Sequence, residues 1–144
     1  MLKPVFRAGD TYAIDPDISR DDALAYWTGA DAGAYLAQDE SGVLGTYYIK
    51  TNAQGGGAHV CNCGFVTAPN AGGKGVARAM LHDALKRAKE HGYKAMQFNF
   101  VLANNTRAVD IWHRAGFDTV GRLPKAFDHP KDGMIDALVM FKTL

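Results

Sequence analysis

Val66-Thr67-Ala68-Pro69-Asn70-Ala71-Gly72-Gly73-Lys74-Gly75-Val76-Ala77 is the stretch on which the reading of this chain turns. Upstream of it, Ala58 to Thr67 is apolar and nearly uncharged, the pattern of a strand in the middle of a sheet. Downstream, Val76, Met80, Leu81, Ala84, Leu85 and Ala88 recur at helical spacing. Arg78, Asp83, Lys86, Arg87 and Glu90 fall mostly on the opposite face, and Gly92 is a C-terminal stop. A strand therefore ends, turns without bulky side chains and starts a helix. The first N–H groups of a helix have no partner inside it and sit at the positive end of its dipole. Glycines let an anion approach those amides closely. The segment Gly72 to Ala77 is thus an expected anion cradle, most naturally for a pyrophosphate, with Lys74 as a nearby cation. The alternative is an ordinary glycine-rich turn. A nucleoside-triphosphate loop is excluded because Gly75, not Ser or Thr, follows Gly73-Lys74. The dinucleotide fingerprint fails because Arg78 stands at its last glycine position.

Working outward, Leu2 to Ala8 reads as a short helix closed by Gly9. Ser19-Arg20-Asp21-Asp22 is a capping-box-like start to a second helix ending at Gly29, with Ala23, Leu24, Tyr26 and Trp27 as its apolar side. Tyr35 to Gln38 and Val43 to Lys50 read as strands joined by the hairpin chemistry of Asp39-Glu40-Ser41-Gly42. Tyr93 to Val101 is a further strand and Asn105 to Ala115 an amphipathic helix. Phe117 to Gly121 and Met134 to Lys142 close the chain as strands. The order predicts a mixed α/β sheet with a strand–loop–helix–strand unit at its centre.

The chain of 144 residues fits one domain, residues 1 to 144, with one core. Net charge is +1, with both signs spread along the chain, so neither a nucleic-acid nor a membrane partner is expected. No apolar run reaches the roughly 18 residues that span a bilayer. Cys61 and Cys63 are too close for an ordinary structural disulfide, and a reduced, cytoplasmic setting is the expectation. His59, Cys61 and Cys63 alternate along one strand face, but no fourth ligand is evident. Buried thiols rather than a metal site are expected.

The glycine loop resembles the coenzyme A loop of the GNAT superfamily of N-acetyltransferases, Gln/Arg-x-x-Gly-x-Gly/Ala. Gly73 and Gly75 match its two small positions and Val76-Ala77 what usually follows; Asn70 departs from the Gln/Arg position, and Gly72 stands where a base is common. A second signature follows in the right order. Asn105-Thr106-Arg107-Ala108, then Trp112, then Gly116-Phe117 resembles the Asn-x-x-Ala helix, its mid-helix aromatic residue and the Gly-Phe pair of that family. Together they cover about residues 30 to 142. The resemblance implies a mostly antiparallel central sheet splayed at the acyl-coenzyme-A site. It implies acetyl-CoA as co-substrate, held by Gly72 to Ala77 and by Asn105, Ala108 and Trp112. The main chain of Phe65, Val66 and Thr67 would hold the pantetheine arm and polarise the thioester. The first strand of the family fold is apparently missing from the amino end, where Leu2 to Ala8 looks like the tail of the first helix. An open sheet edge is the expectation. Dimers are common in the family, so a homodimer is expected.

The tighter resemblance is to bacterial small-molecule and amino-acid N-acyltransferases of that superfamily. The implied reaction is therefore direct attack of a small-molecule primary amine, an amino acid or similar amine, on the thioester, with a base to deprotonate the ammonium and an acid for the leaving thiolate. Asn62 stands where many members carry a Glu base, and Trp112 replaces the Tyr acid; neither titrates usefully. Asp136, His129 and His59 are the candidate bases. Asp136 lies amid the apolar strand Ile135 to Met140, His129 in a loop near the acceptor mouth, and His59 has a parity opposite to Asn62. Tyr12, Trp27 and Tyr47 are either acceptor-pocket residues or core. The loss of both titrating groups and the missing first strand keep a different class open, a non-catalytic acyl-CoA-binding sensor, and a protein-acetylating role is a third option.

Overall fold

The computed structural model describes residues 1–144. Helices α1 (Leu2–Ala8) and α2 (Arg20–Thr28) are followed by strands β1 (Ala34–Asp39), β2 (Gly42–Thr51) and β3 (Val60–Thr67). Helix α3 (Val76–Glu90), strand β4 (Ala95–Leu102), helix α4 (Thr106–Arg114) and strands β5 (Asp118–His129) and β6 (Gly133–Thr143) complete the chain. The sheet order is β1-β2-β3-β4-β6-β5. Only β3 and β4 run parallel, as expected for strands joined by a helical crossover; every other pairing is antiparallel. β1 and β5 are the two edge strands, and Leu36 on β1 is exposed.

The two faces of the sheet carry separate cores. On one, α3 and α4 pack Met80, Ala84 and Trp112 against Tyr47, Ile49, Cys61, Met96 and Met140. On the other, α1 and α2 bring Phe6, Ala23 and Trp27 onto Tyr48 and Val66. The alternation of Tyr47 and Tyr48 between these cores is the period-two geometry of a strand covered on both faces. Local chemistry sets the helix ends. Ser19 Oγ accepts from the Asp22 N–H at 3.1 Å, an N-cap, and donates to the Asp22 carboxylate at 2.7 Å; the return bond to the Ser19 backbone N–H that would complete the expected capping box is not made. Of the apolar side expected for α2, Ala23 and Trp27 are buried at i, i+4 spacing, whereas Leu24 and Tyr26 remain partly exposed.

Two departures from the sequence reading matter. β4 starts at Ala95 rather than Tyr93, because the Tyr93 N–H closes the end of α3 on the Ala88 carbonyl while Gly92 takes φ +86°. The strand expected to end at Gly121 continues to His129. Pro124 hides that continuation, since proline cannot donate to a ladder; the structure accommodates it at an irregularity between Leu123 and Phe127, with Lys125 at φ 50°.

Phe6 is 2% exposed and contacts Tyr12, Tyr26 and Trp27 by ring packing. Phe6→Ala is expected to destabilise the protein by about 3 kcal/mol in urea unfolding. An unchanged midpoint would show that α1 is not part of the cooperative core.

Candidate active site

The parallel ladder between β3 and β4 lasts for two residue pairs, Val60↔Ala95 and Cys61↔Met96. Beyond them the strands separate. Asn62 sits at the branch, its side-chain N–H donating to the Gln97 carbonyl at 2.9 Å while its oxygen accepts from the Tyr48 hydroxyl at 3.1 Å. The gap forms a cleft of about 890 Å³ that reaches both faces of the sheet. Main-chain direction follows from the β2 ladder. Val60 and Ala68 turn their groups to β2, through Asn52 N–H to Val60 O and Ala68 N–H to Leu44 O. With two-residue alternation, Cys63, Phe65 and Thr67 therefore turn theirs toward the opening. The Phe65 carbonyl does so visibly, accepting from the Tyr12 hydroxyl at 2.8 Å. Val66, expected beside Phe65 and Thr67, is the exception: its main chain faces β2 and its side chain lies in the α1/α2 core.

At one end of the cleft lie Gly72, Gly73, Gly75, Val76 and Ala77. Gly73 and Gly75 have φ +78° and +74°, and a β-carbon on either would meet no protein atom within 4 Å, so the space beside their backbone is open. Helix α3 has Gly75 as its N-cap and no capping side chain, and its first intrahelical acceptor serves Ala79. The N–H groups of Val76, Ala77 and Arg78 thus have no protein acceptor, the condition for gripping an anion. This end fits the diphosphate of coenzyme A. Lys74 is exposed and lies off the lining, near Asp39; Arg78 and Arg107 are the cations of the cleft wall. Asn105 and Ala108 also line the cleft, and there Asn105 Oδ1 caps α4 by accepting from the Ala108 N–H at 3.2 Å.

The middle of the cleft is aromatic. Trp112 packs 4.9 Å from Phe98 and 5.2 Å from Phe65, ring centre to ring centre. The far side, on the α1/α2 face, is lined by Tyr12, Tyr26, Tyr48, Lys50, Asn62 and Asn99. Burial pushes the Tyr12 and Tyr48 hydroxyls well above the ordinary phenol range, so both keep their protons. Trp27 and Tyr47, weighed from sequence as lining, are core side chains outside the cleft.

The candidate bases are not brought to this place. Asp136 accepts from the Lys125 N–H at 2.9 Å and pairs with Arg122; these bonds hold its carboxyl below the usual range. His129 is the last residue of β5, not a loop residue; it is buried, and its Nδ1 faces the N–H groups of Lys131 and Asp132 in the turn to β6. His59 is exposed before the start of β3, and none of the three lines the cleft. Cys61 and Cys63 are buried, and burial pushes the Cys61 thiol up to about 12. Lys50, Tyr26, Tyr48 and Asn99 were missed from sequence. The parity of Tyr48 and Lys50 placed them on one face, but nothing local showed that a cleft opens there.

Substitution of Gly73 or Gly75 by Val sets a side chain on a left-handed backbone position in the anion path. Each change is expected to weaken acetyl-CoA binding by about tenfold or more in calorimetry, with the near-ultraviolet circular dichroism of the folded protein retained. Unchanged affinity would remove the anion cradle.

Comparisons with known proteins agree with this geometry. The model of the Acetyltransferase (GNAT) family matches residues 5–117. N-acetyltransferase aca1 of Schizosaccharomyces pombe is 28% identical, the match covering 91% of this chain and 71% of that protein. The solved structure of a GCN5-related N-acetyltransferase from Kribbella flavida is 37% identical, with a TM-score of 0.93 over 99% of this chain and 87% of that one. A GNAT-superfamily phosphinothricin acetyltransferase from Sinorhizobium meliloti, solved with acetyl-CoA, shares the fold at 20% identity, with a TM-score of 0.84 over 99% of this chain and 78% of that one. A cleft opened by a splayed parallel strand pair, an unsatisfied helix start at its end and these likenesses converge: the chain belongs to the GNAT family and is an acetyl-CoA-dependent N-acetyltransferase.

Proposed function

We propose that residues 1–144 act as one N-acetyltransferase domain that moves the acetyl group of acetyl-CoA to the primary amine of a small molecule by direct attack. The observation that carries this reading is the reach of the cleft. It joins the anion-binding start of α3 to a tyrosine-walled chamber on the opposite face of the sheet. A donor laid along the free edge of β3 would present its thioester near Phe65, where outward main-chain groups are available. An amine in the chamber attacks the thioester carbonyl. The C–N bond forms, the C–S bond breaks, and the electron pair leaves on the thiolate. N–H groups on the free edge can stabilise the oxyanion that develops in between. Trp112, an N–H donor without an acidic proton, leaves the thiolate to depart on its own low basicity.

The chamber offers no carboxylate or histidine to take the proton. Asn62 bridges Tyr48 and Gln97, and both buried tyrosines stay protonated. The amine therefore reacts as the free base drawn from solution, its proton leaving to water. A chamber walled by Tyr12, Tyr26 and Tyr48 supports a small acceptor rather than a protein chain. The unpaired thiols Cys61 and Cys63 support a reducing, cytoplasmic setting. Exposed Val120, Leu123 and Met134 on β5 and β6 support a homodimer. No helix is long and apolar enough to cross a membrane.

Release of free coenzyme A on addition of primary amines is the direct test. Tight acetyl-CoA binding without turnover across a broad amine panel would instead favour the sensor reading, which Asn62 in place of a carboxylate keeps alive. kcat/KM is expected to rise about tenfold per pH unit below the pKa of the acceptor amine and to level above it. Asp136→Asn and His129→Gln are expected to leave that profile in place; a displaced inflection in either would restore a protein base.

A further inference from the structure

The acceptor half of the cleft contains one charged side chain, Lys50, and nothing in the protein neutralises it. Its Nζ lies 5.0 Å from the Tyr26 ring centre and 5.1 Å from that of Tyr48, and it takes part in no ion pair. Two aromatic faces thus remove part of its water while leaving the ammonium aimed into the chamber. Lys50 is the register partner of Asn62 on the adjacent strand, so both side chains stand on the same face beside the branch point. The facing groups from every neighbouring element are neutral: Tyr26 from α2, Tyr48 from β2, Asn62 from β3 and Asn99 from β4. The sole acid of the cleft, Asp110, belongs to α4 on the donor side and is paired with Arg114. Asp31, brought near this corner by accepting from the N–H of Thr51, does not line the cleft.

The position of Lys50 separates it from the donor phosphates. Asn62 and Thr67 are five residues apart on β3, about 17 Å along the strand, and the α3 cradle lies beyond Thr67. Arg78 and Arg107 serve that end. Lys50 is therefore a second anion point, on the acceptor side of the branch. A partly desolvated cation there repels an acceptor whose only charge is an ammonium and attracts one that brings its own anion.

We infer that the acceptor is a small amine that also carries a carboxylate, of the amino-acid class, and that Lys50 binds that carboxylate. The inference rests on the transfer reaction proposed above and names its substrate class. Lys50 does not touch the transferred proton; it fixes the end of the acceptor opposite the attacking nitrogen.

The test compares small amino acids with their primary amides as acceptors at matched free-amine concentration, in wild type, Lys50→Met and Lys50→Arg. Wild type is expected to favour acids over amides by about tenfold or more in kcat/KM. Lys50→Met should erase that preference, mainly through KM, while leaving amide turnover and acetyl-CoA affinity within about threefold; Lys50→Arg should keep most of it. Equal use of acids and amides by wild type overturns the inference. So does a Lys50→Met variant that loses both substrates equally or binds acetyl-CoA more weakly. A second readout needs no turnover: calorimetric binding of N-acetylated amino acids in the presence of coenzyme A. If no amine is acetylated but these acids bind and Lys50→Met abolishes the binding, the lysine keeps its role and the transfer reading fails. If amides are acetylated and acids are not, the transfer reading stands and the lysine's role fails.

Discussion

The separation of β3 from β4 after two residue pairs is the constraint on which the rest of the molecule depends. A continuous parallel ladder would bury every main-chain group of β3 and leave no site. A gap without partners would strand those groups. The structure holds the intermediate condition. Asn62 bonds across the first open position, Tyr12 covers the Phe65 carbonyl, and an irregularity between Phe98 and Val101 carries β4 away while it stays paired with β6. Gly64 is part of the same arrangement, because a β-carbon there would lie 2.5 Å from the Tyr48 ring. Tyr48 can therefore lie flat over β3 and donate to Asn62.

From that opening the chemistry divides by face. On the α3/α4 side, unsatisfied amides and two arginines suit a polyanionic donor. On the α1/α2 side, buried hydroxyls, amides and one lysine suit a small polar acceptor. The aromatic trio of Phe65, Phe98 and Trp112 lines the middle of the cleft and packs into the core beneath α3 and α4. The proposed reaction in such a site would rest on placement and on main-chain dipoles rather than on a protein base. Asn62 is consistent with this, since it holds the branch open through two hydrogen bonds that an ionised carboxylate could not make in the same way: a carboxylate has no N–H to give the Gln97 carbonyl.

Asp136 and His129 show why acidic or basic residues near a strand end mislead. Both lie on the β5–β6 hairpin, whose register shifts between Leu123 and Phe127. A register irregularity redirects the side chains that follow it, and here Asp136 turns to Arg122 and the Lys125 N–H, while His129 turns into its own tight turn. Their bonds are those of a hairpin held at its bend.

The sequence by itself determined the parts governed by neighbours along the chain. These are the glycine bend that opens α3, the cap at Ser19, the Asn105 signature at the start of α4, the amphipathic face of α3, the strand–loop–helix–strand order, and through them the family and the donor. Each depends on backbone freedom or on a period of two or 3.6 residues, both of which are written locally. Only the tertiary structure decided the acceptor side. Tyr12, Tyr26, Tyr48, Lys50, Asn62 and Asn99 come from five separate segments and meet because β3 and β4 part at one residue pair. The register of β3 on β2 set Phe65 and Thr67 toward the opening and Val66 away from it, and the folded loop left Lys74 outside the cleft while Arg78 lines its wall. Where a ladder ends is settled by competition between distant strands for the same hydrogen bonds, and no local window of sequence records its outcome.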